Sequence, residues 1–271
     1  MNPGLIDLIL FSEKRKAFLL FLREGPKSSK EILDQLQVPR TSILPQIKKL
    51  KEQNLVIHED GMYRLTQIGE IIVEKMKPLL ETLDVFEKDE EFWIDRKLSS
   101  IPPHLIKRIN ELEDYNLIEP DLSHAFDLNP EFIKYVSDSS RIHMLLSYFH
   151  PQLPILFLEL AGKGIEISLV LSESVYSRFA EDFGKEGEEF LKMNHTGLFV
   201  LDKKATEIPA VIVASDNIMI LGLFNENGRF DRQYLTSFEP DAIKWGEELF
   251  EYYMGMARET QACRRNQRLS E

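Results

Sequence analysis

Residues 28–66 read SSKEILDQLQVPRTSILPQIKKLKEQNLVIHEDGMYRLT, and this stretch predicts two helices separated by a tight turn and followed by a hairpin. Ser28 or Ser29 caps the first of these helices, because Glu31 follows Ser28 at the spacing of a capping box. Pro39 prevents that helix from continuing, since proline lacks the backbone N–H and its ring clashes with the preceding turn. The chain must therefore turn here before a second helix can begin.

The second helix of this stretch is predicted to begin at a cap formed by Thr41 or Ser42 and to run to about Gln53. Pro45 then falls in its first turn, where a missing backbone N–H is tolerated. Apolar residues recur at helical spacing and predict the buried stripe. This stripe consists of Ile43, Leu44, Ile47 and Leu50.

A hairpin and a long helix are predicted next. Two short apolar segments, Leu55–Glu59 and Met62–Leu65, flank Asp60-Gly61, which is a strong signal for a two-residue turn. Thr66 then caps a long helix that begins at Gln67. The apolar positions of this helix are Ile68, Ile71, Ile72, Met76, Leu79, Leu80, Leu83 and Phe86.

One more helix is predicted before the quoted stretch. Ser12 is its N-cap, and Glu13 lies in the first turn, where the helix dipole favours a negative charge. Gly25-Pro26 ends this helix. The first part of the chain thus has three helices, a hairpin and a long helix in the order of a winged helix-turn-helix.

The residues of the hairpin carry a family resemblance. Leu55-Val56, Gly61, Tyr63-Arg64-Leu65-Thr66 and Gly69 form a pattern that resembles the wing and following helix of many prokaryotic DNA-binding regulators. The resemblance covers about residues 8–80. It implies that the third helix lies in the major groove of double-stranded DNA, with its first residues facing the base edges.

Polar and basic residues of this helix are the candidate DNA contacts. Arg can bind guanine, and Gln adenine, with two hydrogen bonds each. The candidates for base contact are Arg40, Thr41, Ser42 and Gln46, and those for phosphate contact are Lys48, Lys49 and Lys51. Arg64, near the base of the wing, is a candidate for the DNA backbone or minor groove. The alternatives are an ordinary solvated helix face and a winged helix that binds another protein.

Charge is distributed unevenly along the chain. The 271 residues carry a net charge of −12, yet residues 1–80 contain 13 Lys and Arg against 10 Asp and Glu. Affinity for DNA depends on the phosphates that a protein contacts, because each contact releases counterions. The acidic total therefore does not exclude DNA binding, and an acidic second domain would confine DNA contact to the first.

The predicted fold class is α+β and multi-domain, with an N-terminal winged helix-turn-helix, a long linker helix and a C-terminal α/β sensor domain. Beyond the long helix, apolar strand segments alternate with helical segments, which indicates an α/β layer. The predicted divisions are residues 1–86 for the winged helix-turn-helix, 87–100 for a charged linker, 101–258 for the α/β domain and 259–271 for a polar tail.

A strand, a helix, a glycine-containing turn and a second strand occupy Arg141–Leu171. This order is similar to half of a phospholipase-D-like sheet. That family places a His, a Lys two positions later and an Asp in its active site. None of the six histidines has a Lys two positions on; His104, for example, has Lys107 three positions on. The resemblance therefore implies the fold without the chemistry.

A second resemblance covers most of the chain. Residues 141–171, with His150-Pro151, are followed by the block Pro209–Leu223, by Asn227-Gly228 and by the closing segment Trp245–Tyr253. Together with the winged helix, this pattern resembles archaeal winged-helix transcriptional regulators that have a methanogenesis-regulatory middle domain. The resemblance implies a sensor or assembly domain attached to a DNA-binding head.

Four residues that follow two neighbouring strands are candidates for binding a small-molecule effector. Phe149 and His150 follow one strand, and Ser172 and Glu173 follow the next, at the strand ends where α/β folds often bind ligands. The alternative for Ser172 and Glu173 is a helix cap with a charge that complements the helix dipole. The alternative for His150 is a purely structural histidine.

Several classes of protein lack support in the sequence. There is no phosphate-binding glycine loop and no H-E-x-x-H zinc motif, so no catalytic residue, metal site or cofactor is predicted and the chain is not expected to be an enzyme. An enzyme with a catalytic C-terminal domain is the less favoured alternative. Cys263 is the single cysteine, which excludes an internal disulfide. No apolar run is long enough to cross a membrane, and we expect a soluble, cytoplasmic protein.

A homodimer is expected, because winged helices of this kind bind two half-sites whose symmetry mirrors that of the protein. The apolar surplus on helices 67–86 and 241–254 offers two candidate dimerisation faces. The alternative is that both faces pack within one protomer. An effector that binds two arrangements of the dimer with different affinity would change the spacing of the recognition helices.

Overall fold

The computed structural model describes residues 4–120, 128–202 and 207–260. The chain divides into two compact units, Met1–Glu81 and Thr82–Glu271, and each has a hydrophobic core of its own. Both units combine helices with a sheet, and the predicted α+β fold class is confirmed. The predicted polar tail lies outside the described residues from residue 261 onward.

The first unit is a winged helix with a three-stranded antiparallel sheet of order β1-β3-β2. Its elements are α1 (Leu5–Leu10), α2 (Glu13–Arg23), β1 (Lys27–Ser28), α3 (Ser29–Leu36), α4 (Arg40–Glu52), β2 (Val56–Glu59), β3 (Met62–Leu65) and α5 (Gln67–Lys88), whose last residues belong to the second unit. Neither α1 nor β1 is predicted from the sequence, because so short an element has no measurable period.

Local capping and turn signals of the first unit form as predicted. Ser12 accepts a hydrogen bond from the first turn of α2. Ser28 and Glu31 make both bonds of the capping box at the start of α3. Asp60 and Gly61 have φ values of 51° and 79°, which are those of a type I′ turn between β2 and β3.

The close approach of two elements explains a glycine in α5. A Cβ atom at Gly69 would collide with the backbone carbonyl oxygen of Leu55. That oxygen accepts a hydrogen bond of 3.0 Å from the backbone N–H of Thr66. The Thr66 hydroxyl in turn accepts from the Gly69 N–H at 3.0 Å, which confirms Thr66 as the cap. Only glycine lets α5 begin so near the residue before β2.

The predicted cap of α4 is wrong. This helix begins at Arg40, and Pro39 occupies the N-cap position, so neither Thr41 nor Ser42 caps it. Pro39 is already extended, and its carbonyl accepts the first backbone hydrogen bonds of the helix. The Ser42 hydroxyl donates to the same carbonyl at 2.9 Å. The proline that ends the previous turn thus also begins the helix.

The earlier start of α4 changes two further predictions. Pro45 lies in the second turn, rather than in the first, and leaves one carbonyl of the first turn without its helical donor. Leu44 is 37% exposed, whereas Ile43, Ile47 and Leu50 are buried. Successive helical residues are about 100° apart, so Leu44 lies at the edge of the stripe that these three define.

The second unit is built on an eight-stranded mixed sheet of order β11-β7-β6-β5-β8-β9-β10-β4. The three strands β5, β6 and β7 are parallel, and every other pairing is antiparallel. The strands are β4 (Asn116–Ile118), β5 (Arg141–Leu146), β6 (Glu166–Leu171), β7 (Thr196–Leu201), β8 (Val211–Ser215), β9 (Met219–Gly222), β10 (Tyr234–Ser237) and β11 (Ala257–Glu259).

Helices cover both faces of this sheet. They are α6 (Glu90–Ile94), α7 (Pro103–Ile106), α8 (Pro130–Ser137), α9 (Leu153–Gly162), α10 (Glu173–Asp182), α11 (Gly184–Leu191) and α12 (Pro240–Met254), with short 3-10 turns at Leu98–Ser100 and Ile109–Leu112. The predicted strand, helix and strand over Arg141–Leu171 are confirmed as β5, α9 and β6, with the two strands parallel.

Alternate residues of β5 serve two different cores. Ile142, Met144 and Leu146 pack with α9, whereas Leu145 packs with α12 on the opposite face. This period of two is the signature of a strand that is covered on both sides. The same alternation places Met144 and Leu146 on the face of the sheet where they line a cavity.

The predicted linker at 87–100 is not an exposed connection. Phe92 and Trp93 of α6 are buried in the core that contains α12. The Trp93 indole N–H donates to the Tyr115 hydroxyl at 3.0 Å. Acidic residues flank this apolar pair in the sequence, and two apolar residues are too few to form a periodic pattern.

The apolar face of helix α12 also packs within the protomer. Its apolar residues, which include Trp245, Leu249 and Phe250, are buried in the core of the second unit. The prediction that 241–254 offers a face for dimerisation is therefore wrong, and the alternative of packing within one protomer is correct. The strands β10 and β11 are not predicted from the sequence, since both are short.

No helix in the described ranges combines the length and the hydropathy that crossing a bilayer requires.

Candidate functional site

The first candidate site is the surface of α4. Arg40, Thr41, Lys48, Lys49 and Lys51 are all exposed there. The first turn of the helix contains no acidic residue, and its last turn contains Lys49 and Lys51. The face of α4 that does not enter the core is therefore cationic and open to solvent.

Two cations of this region have acidic neighbours. Lys48 lies 3.9 Å from Glu52, and both side chains are well exposed. Such a pair contributes little, because water screens both charges. Arg64 lies 2.7 Å from Glu59 across the hairpin, which holds its guanidinium beside the wing. Lys48 remains available to another anion, whereas Arg64 would have to exchange Glu59 for it.

Gln46 has a structural contact that the sequence does not reveal. Its side-chain oxygen accepts a hydrogen bond of 2.6 Å from Arg15 in α2. Arg15 also donates to the Leu8 and Asp7 carbonyls of α1. Arg15 thereby connects α1 and α2 to α4, and it occupies one of the two acceptor sites of the Gln46 side-chain oxygen. The basic run at residues 14–16 was the available signal for Arg15.

The second candidate site is a cavity of about 390 Å³ in the second unit. Strands β5, β8, β9 and β10 form its floor, and the start of α8 and the segments after β5 and before β10 form its walls. Its lining residues in the described ranges are Glu119, Pro120, Leu128, Asn129, Pro130, Phe132, Met144, Leu146, Tyr148, His150, Leu153, Val211, Ile220, Phe230, Arg232 and Tyr234. The lining is mainly apolar and aromatic, as in most small-molecule sites.

One of the four predicted effector residues lines this cavity. His150 is buried in its wall, and the His150 Nδ1 atom accepts a hydrogen bond of 3.3 Å from the Gln152 N–H. Phe149 lines a smaller neighbouring pocket and packs 6.0 Å from Phe183. The other two predicted residues do not line either pocket.

Ser172 and Glu173 have local partners in α10. The Ser172 hydroxyl accepts a hydrogen bond of 3.3 Å from the Val175 N–H and so caps this helix. Glu173 lies in the first turn, 3.7 Å from Arg258 on the edge strand β11. The structure thus bears out the capping interpretation of the Ser172 side chain.

Arg232 and Tyr234 are polar residues of the cavity that sequence reasoning missed. The Arg232 guanidinium lies 6.0 Å from the ring of Tyr148, which packs edge-on against Phe230 at 5.2 Å. Burial raises the pKa of Tyr234 to about 12, although a hydrogen bond with Asn129 opposes the shift. The Tyr234 hydroxyl is therefore protonated near neutral pH and can act as a donor.

Arg232 also has an unusual backbone. Its φ of 66° lies in the left-handed region, which costs a non-glycine residue about 1–2 kcal/mol. Such strain often marks a functional position. The sequence signal was the alternation of Phe230, Arg232 and Tyr234, but no strand was predicted there.

The half-buried histidine on β5 lies on the other side of the sheet. His143 stacks on Phe250 of α12 at 4.8 Å, and among the described residues its buried Nδ1 atom has no hydrogen-bond partner. Burial, and then the charge of Arg141, lower the pKa of His143. In the described parts of the chain, no group of three or more His, Cys, Asp or Glu side chains could hold a metal ion.

Two family models match the chain. Residues 5–88 match the HVO_A0261 N-terminal domain, and residues 125–256 match the middle domain of the methanogenesis regulatory protein FilR1. The fold and these matches show that the chain is similar to archaeal winged-helix transcriptional regulators. Among these regulators, the chain is similar to those with a FilR1 middle domain, which confirms the second resemblance noted from the sequence.

One relative is similar to the chain over nearly its whole length. The methanogenesis regulatory protein FilR1 of Methanothrix harundinacea is 24% identical over 259 residues, which cover 94% of this chain and 57% of that protein. The chain thus spans just over half the length of that relative.

Two solved structures have weak likenesses to the chain. TrmBL2, an archaeal chromatin protein with a novel mode of DNA binding, has 12% identity and a TM-score of 0.43, over 94% of this chain and 97% of that one. Nuc, a phospholipase D family member from Salmonella typhimurium, has 10% identity and a TM-score of 0.41, over 54% and 99%. Likenesses at these scores carry no conclusion about this chain.

Proposed function

We propose that this chain is a DNA-binding regulator of transcription in which α4 contacts double-stranded DNA and the second unit senses a small molecule. Residues 1–86 form the DNA-binding part, and residues 101–258 form the sensing part, which is not catalytic. The observation that carries the proposal is the exposed cationic face of α4 in a protein whose net charge is −12.

The charge contrast favours DNA over a protein partner for this face. An acidic protein repels DNA over most of its surface, so productive contact is limited to the region where cations are exposed. Arg40 and Thr41 lie at the start of α4, the end that approaches base edges in helix-turn-helix proteins. The lysines nearer the other end are placed to contact phosphates.

Fluorescence anisotropy with duplex DNA from the protein's own upstream region tests this proposal. Each phosphate contact contributes about 0.9 to the slope of log affinity against log salt concentration. We expect the variant Arg40→Ala/Lys48→Ala/Lys49→Ala to bind more weakly, with a slope reduced by about 2, because Lys48 and Lys49 are the phosphate contacts that it removes.

The matched control is Lys163→Ala/Lys185→Ala/Lys192→Ala, which removes three exposed cations from the second unit. It changes the net charge equally and should leave the slope unchanged. Weak binding that is insensitive to salt and equal in both variants would contradict the proposal. It would support a winged helix that contacts protein, and partner capture would then be the next experiment.

A homodimer is part of the proposal. Ile68, Ile71, Leu79 and Leu83 lie on one side of α5, and each is more than two-fifths exposed. A stripe of this kind is typical of a helix that packs against another helix. We therefore propose that α5 pairs with its copy in a second protomer.

Light scattering coupled to size-exclusion chromatography tests the dimer. The wild type should elute as a dimer at micromolar concentration, and Ile71→Glu should shift it to a monomer because it places a charge in the apolar stripe. Glu74→Ala, on another side of α5, is the control and should remain dimeric. A monomeric wild type would count against the proposed pairing.

A further inference from the structure

We infer that the cavity of the second unit binds a small carboxylate with a compact apolar body, and that Arg232 pairs with the carboxylate group. This inference rests on the proposal that the second unit senses a small molecule. It identifies the chemical class of that molecule from the lining of the cavity.

The floor of the cavity fits an apolar body. Met144, Leu146, Val211 and Ile220 project from three neighbouring strands and present only hydrocarbon and thioether surface. Phe132 and Phe230 add aromatic rings at the sides. Burial of an apolar ligand on such a surface is favourable at about 25 cal/mol per Å².

Arg232 supplies the charge that a carboxylate needs. It is the single Arg or Lys in the described wall of the cavity. Within the described ranges, no Asp or Glu side chain forms an ion pair with its guanidinium, although most arginines of the second unit are paired. A guanidinium matches a carboxylate with two parallel hydrogen bonds. An arginine without a carboxylate partner, beside an apolar cavity, therefore selects an anionic group.

The segment that carries Arg232 is held from its other side. The Arg96 side chain is buried and lies 2.7 Å from a carboxylate oxygen of Asp231, and it also donates to the side chain of Gln233. The two neighbours of Arg232 are thus fixed away from the cavity. A guanidinium that is positioned before the ligand arrives loses less entropy on binding.

Other polar groups of the wall are consistent with an anion. The Tyr234 hydroxyl is protonated near neutral pH, because the ordinary tyrosine pKa is already about 10, and burial raises the pKa of Tyr234 further. The carboxylate of Glu119 is the opposing charge, but this side chain is exposed and accepts a hydrogen bond of 3.2 Å from Gln233. Water screens an exposed charge far more than it screens a contact inside the cavity.

The volume limits the size of the ligand. At about 30 Å³ for each water-sized unit, a cavity of about 390 Å³ holds roughly a dozen non-hydrogen atoms. Medium-chain fatty acids and bicyclic aryl carboxylates have this size. The two share the chemistry that the cavity recognises, and the experiment distinguishes them.

Isothermal titration calorimetry of the full chain without DNA tests the inference. The probes are decanoate, 2-naphthoate and decanol, which has the same chain as decanoate without the charge. We expect at least one carboxylate to bind, and decanoate, if it is that one, to bind at least tenfold more tightly than decanol. Binding of 2-naphthoate alone would support the carboxylate class with an aromatic body.

The variant Arg232→Gln should weaken carboxylate binding at least tenfold and leave any decanol binding within twofold. Arg229→Gln is the matched control, because Arg229 is exposed in the same segment and does not line the cavity. It should bind like the wild type. Failure of both carboxylates to bind, equal affinity for decanoate and decanol, or no effect of Arg232→Gln would overturn the inference.

Failure of this inference can be told from failure of the proposed function. DNA affinity and its dependence on salt are measured separately, in the absence of any carboxylate. A chain that binds DNA through α4 but binds neither carboxylate refutes the ligand class alone. A chain that binds the carboxylate but not DNA refutes the regulator proposal.

Discussion

The two units expose their arginines in opposite ways. In the first unit, Arg40 stands on the outer face of α4, where an extended polyanion can reach it and its neighbours at once. In the second unit, Arg232 stands beside a cavity of about 390 Å³, where one small anion can reach it. We propose two different partners for the same guanidinium chemistry, because the surrounding surface limits the size of the anion that can reach each arginine.

The units also differ in how far apart in the chain their cooperating residues lie. The cationic residues of α4 fall within one helix of thirteen residues. The cavity lining comes from segments between Glu119 and Tyr234. Variants that destabilise only one unit, or that change ligand binding without changing stability, therefore test this difference between the units.

The largest effect is expected for Trp93→Ala. Removing a buried aromatic side chain costs about 3–5 kcal/mol, and this variant also deprives the Tyr115 hydroxyl of its indole donor. The midpoint of urea unfolding, followed by the fluorescence of Trp245, should fall accordingly. Ile94→Ala is the control, since Ile94 is 73% exposed. Equal midpoints for the two variants would restore the view that 87–100 is a mere linker.

A smaller effect, confined to the first unit, is expected for Gly69→Ala. The added Cβ would overlap the Leu55 carbonyl oxygen, and overpacking of this kind costs about 1–3 kcal/mol. Both tryptophans, Trp93 and Trp245, lie in the second unit. Circular dichroism should therefore show a destabilised component that tryptophan fluorescence does not report.

Gly162→Ala is the matched control in the second unit, because nothing lies within 4 Å of its added Cβ. Alanine is the better helix former by up to about 1 kcal/mol, so this change should be neutral or slightly stabilising. Loss of stability in both glycine variants would mean that the contact between Gly69 and Leu55 is not the cause.

The smallest effect on stability is expected for Arg232→Gly. Glycine relieves the left-handed backbone at this position but raises the entropy of the unfolded chain, so the free energy of unfolding should stay within about 1 kcal/mol of the wild type. Carboxylate binding should nevertheless be lost. Urea unfolding and calorimetry on one preparation check both parts.

Arg229→Gly provides the comparison for the backbone, since the φ of Arg229 is not in the left-handed region. This change should destabilise the protein by about 0.5–1 kcal/mol and leave carboxylate binding intact. If Arg232→Gly destabilised the protein by several kcal/mol, Arg232 would be a structural residue, and its effect on binding would be indirect.

Local signals in the sequence were sufficient for most of the first unit. Ser12, Ser28 and Thr66 cap helices because each contact lies within three residues of the capping side chain. Leu44 and the start of α4 were misjudged for a related reason. The helix could begin after Pro39, Thr41 or Ser42, and residue preferences for the N-cap position alone do not predict which of these starts forms.

Candidate sites were harder to obtain than elements. The cationic residues of α4 were found because one helix displays them together. Arg232 and Tyr234 were missed because β10 is a four-residue strand. In addition, nothing in their own segment indicates that Met144 and Ile220 line the same cavity. Ser172 and Glu173 were predicted because they follow the strand β6. The cavity is instead bordered by the segments that follow β5 and precede β10.

The winged helix, the order of the strands and helices along Arg141–Leu171 and the family resemblance all follow from the amino-acid sequence. These depend on capping, turn chemistry and hydrophobic period, which act over a few residues. By contrast, the bond from Arg15 to Gln46, the burial of Phe92 and Trp93, and the apolar cavity beside Arg232 become visible in the folded chain alone. Burial and cavities arise from surfaces that are distant in the chain, and no local pattern encodes which of these surfaces meet.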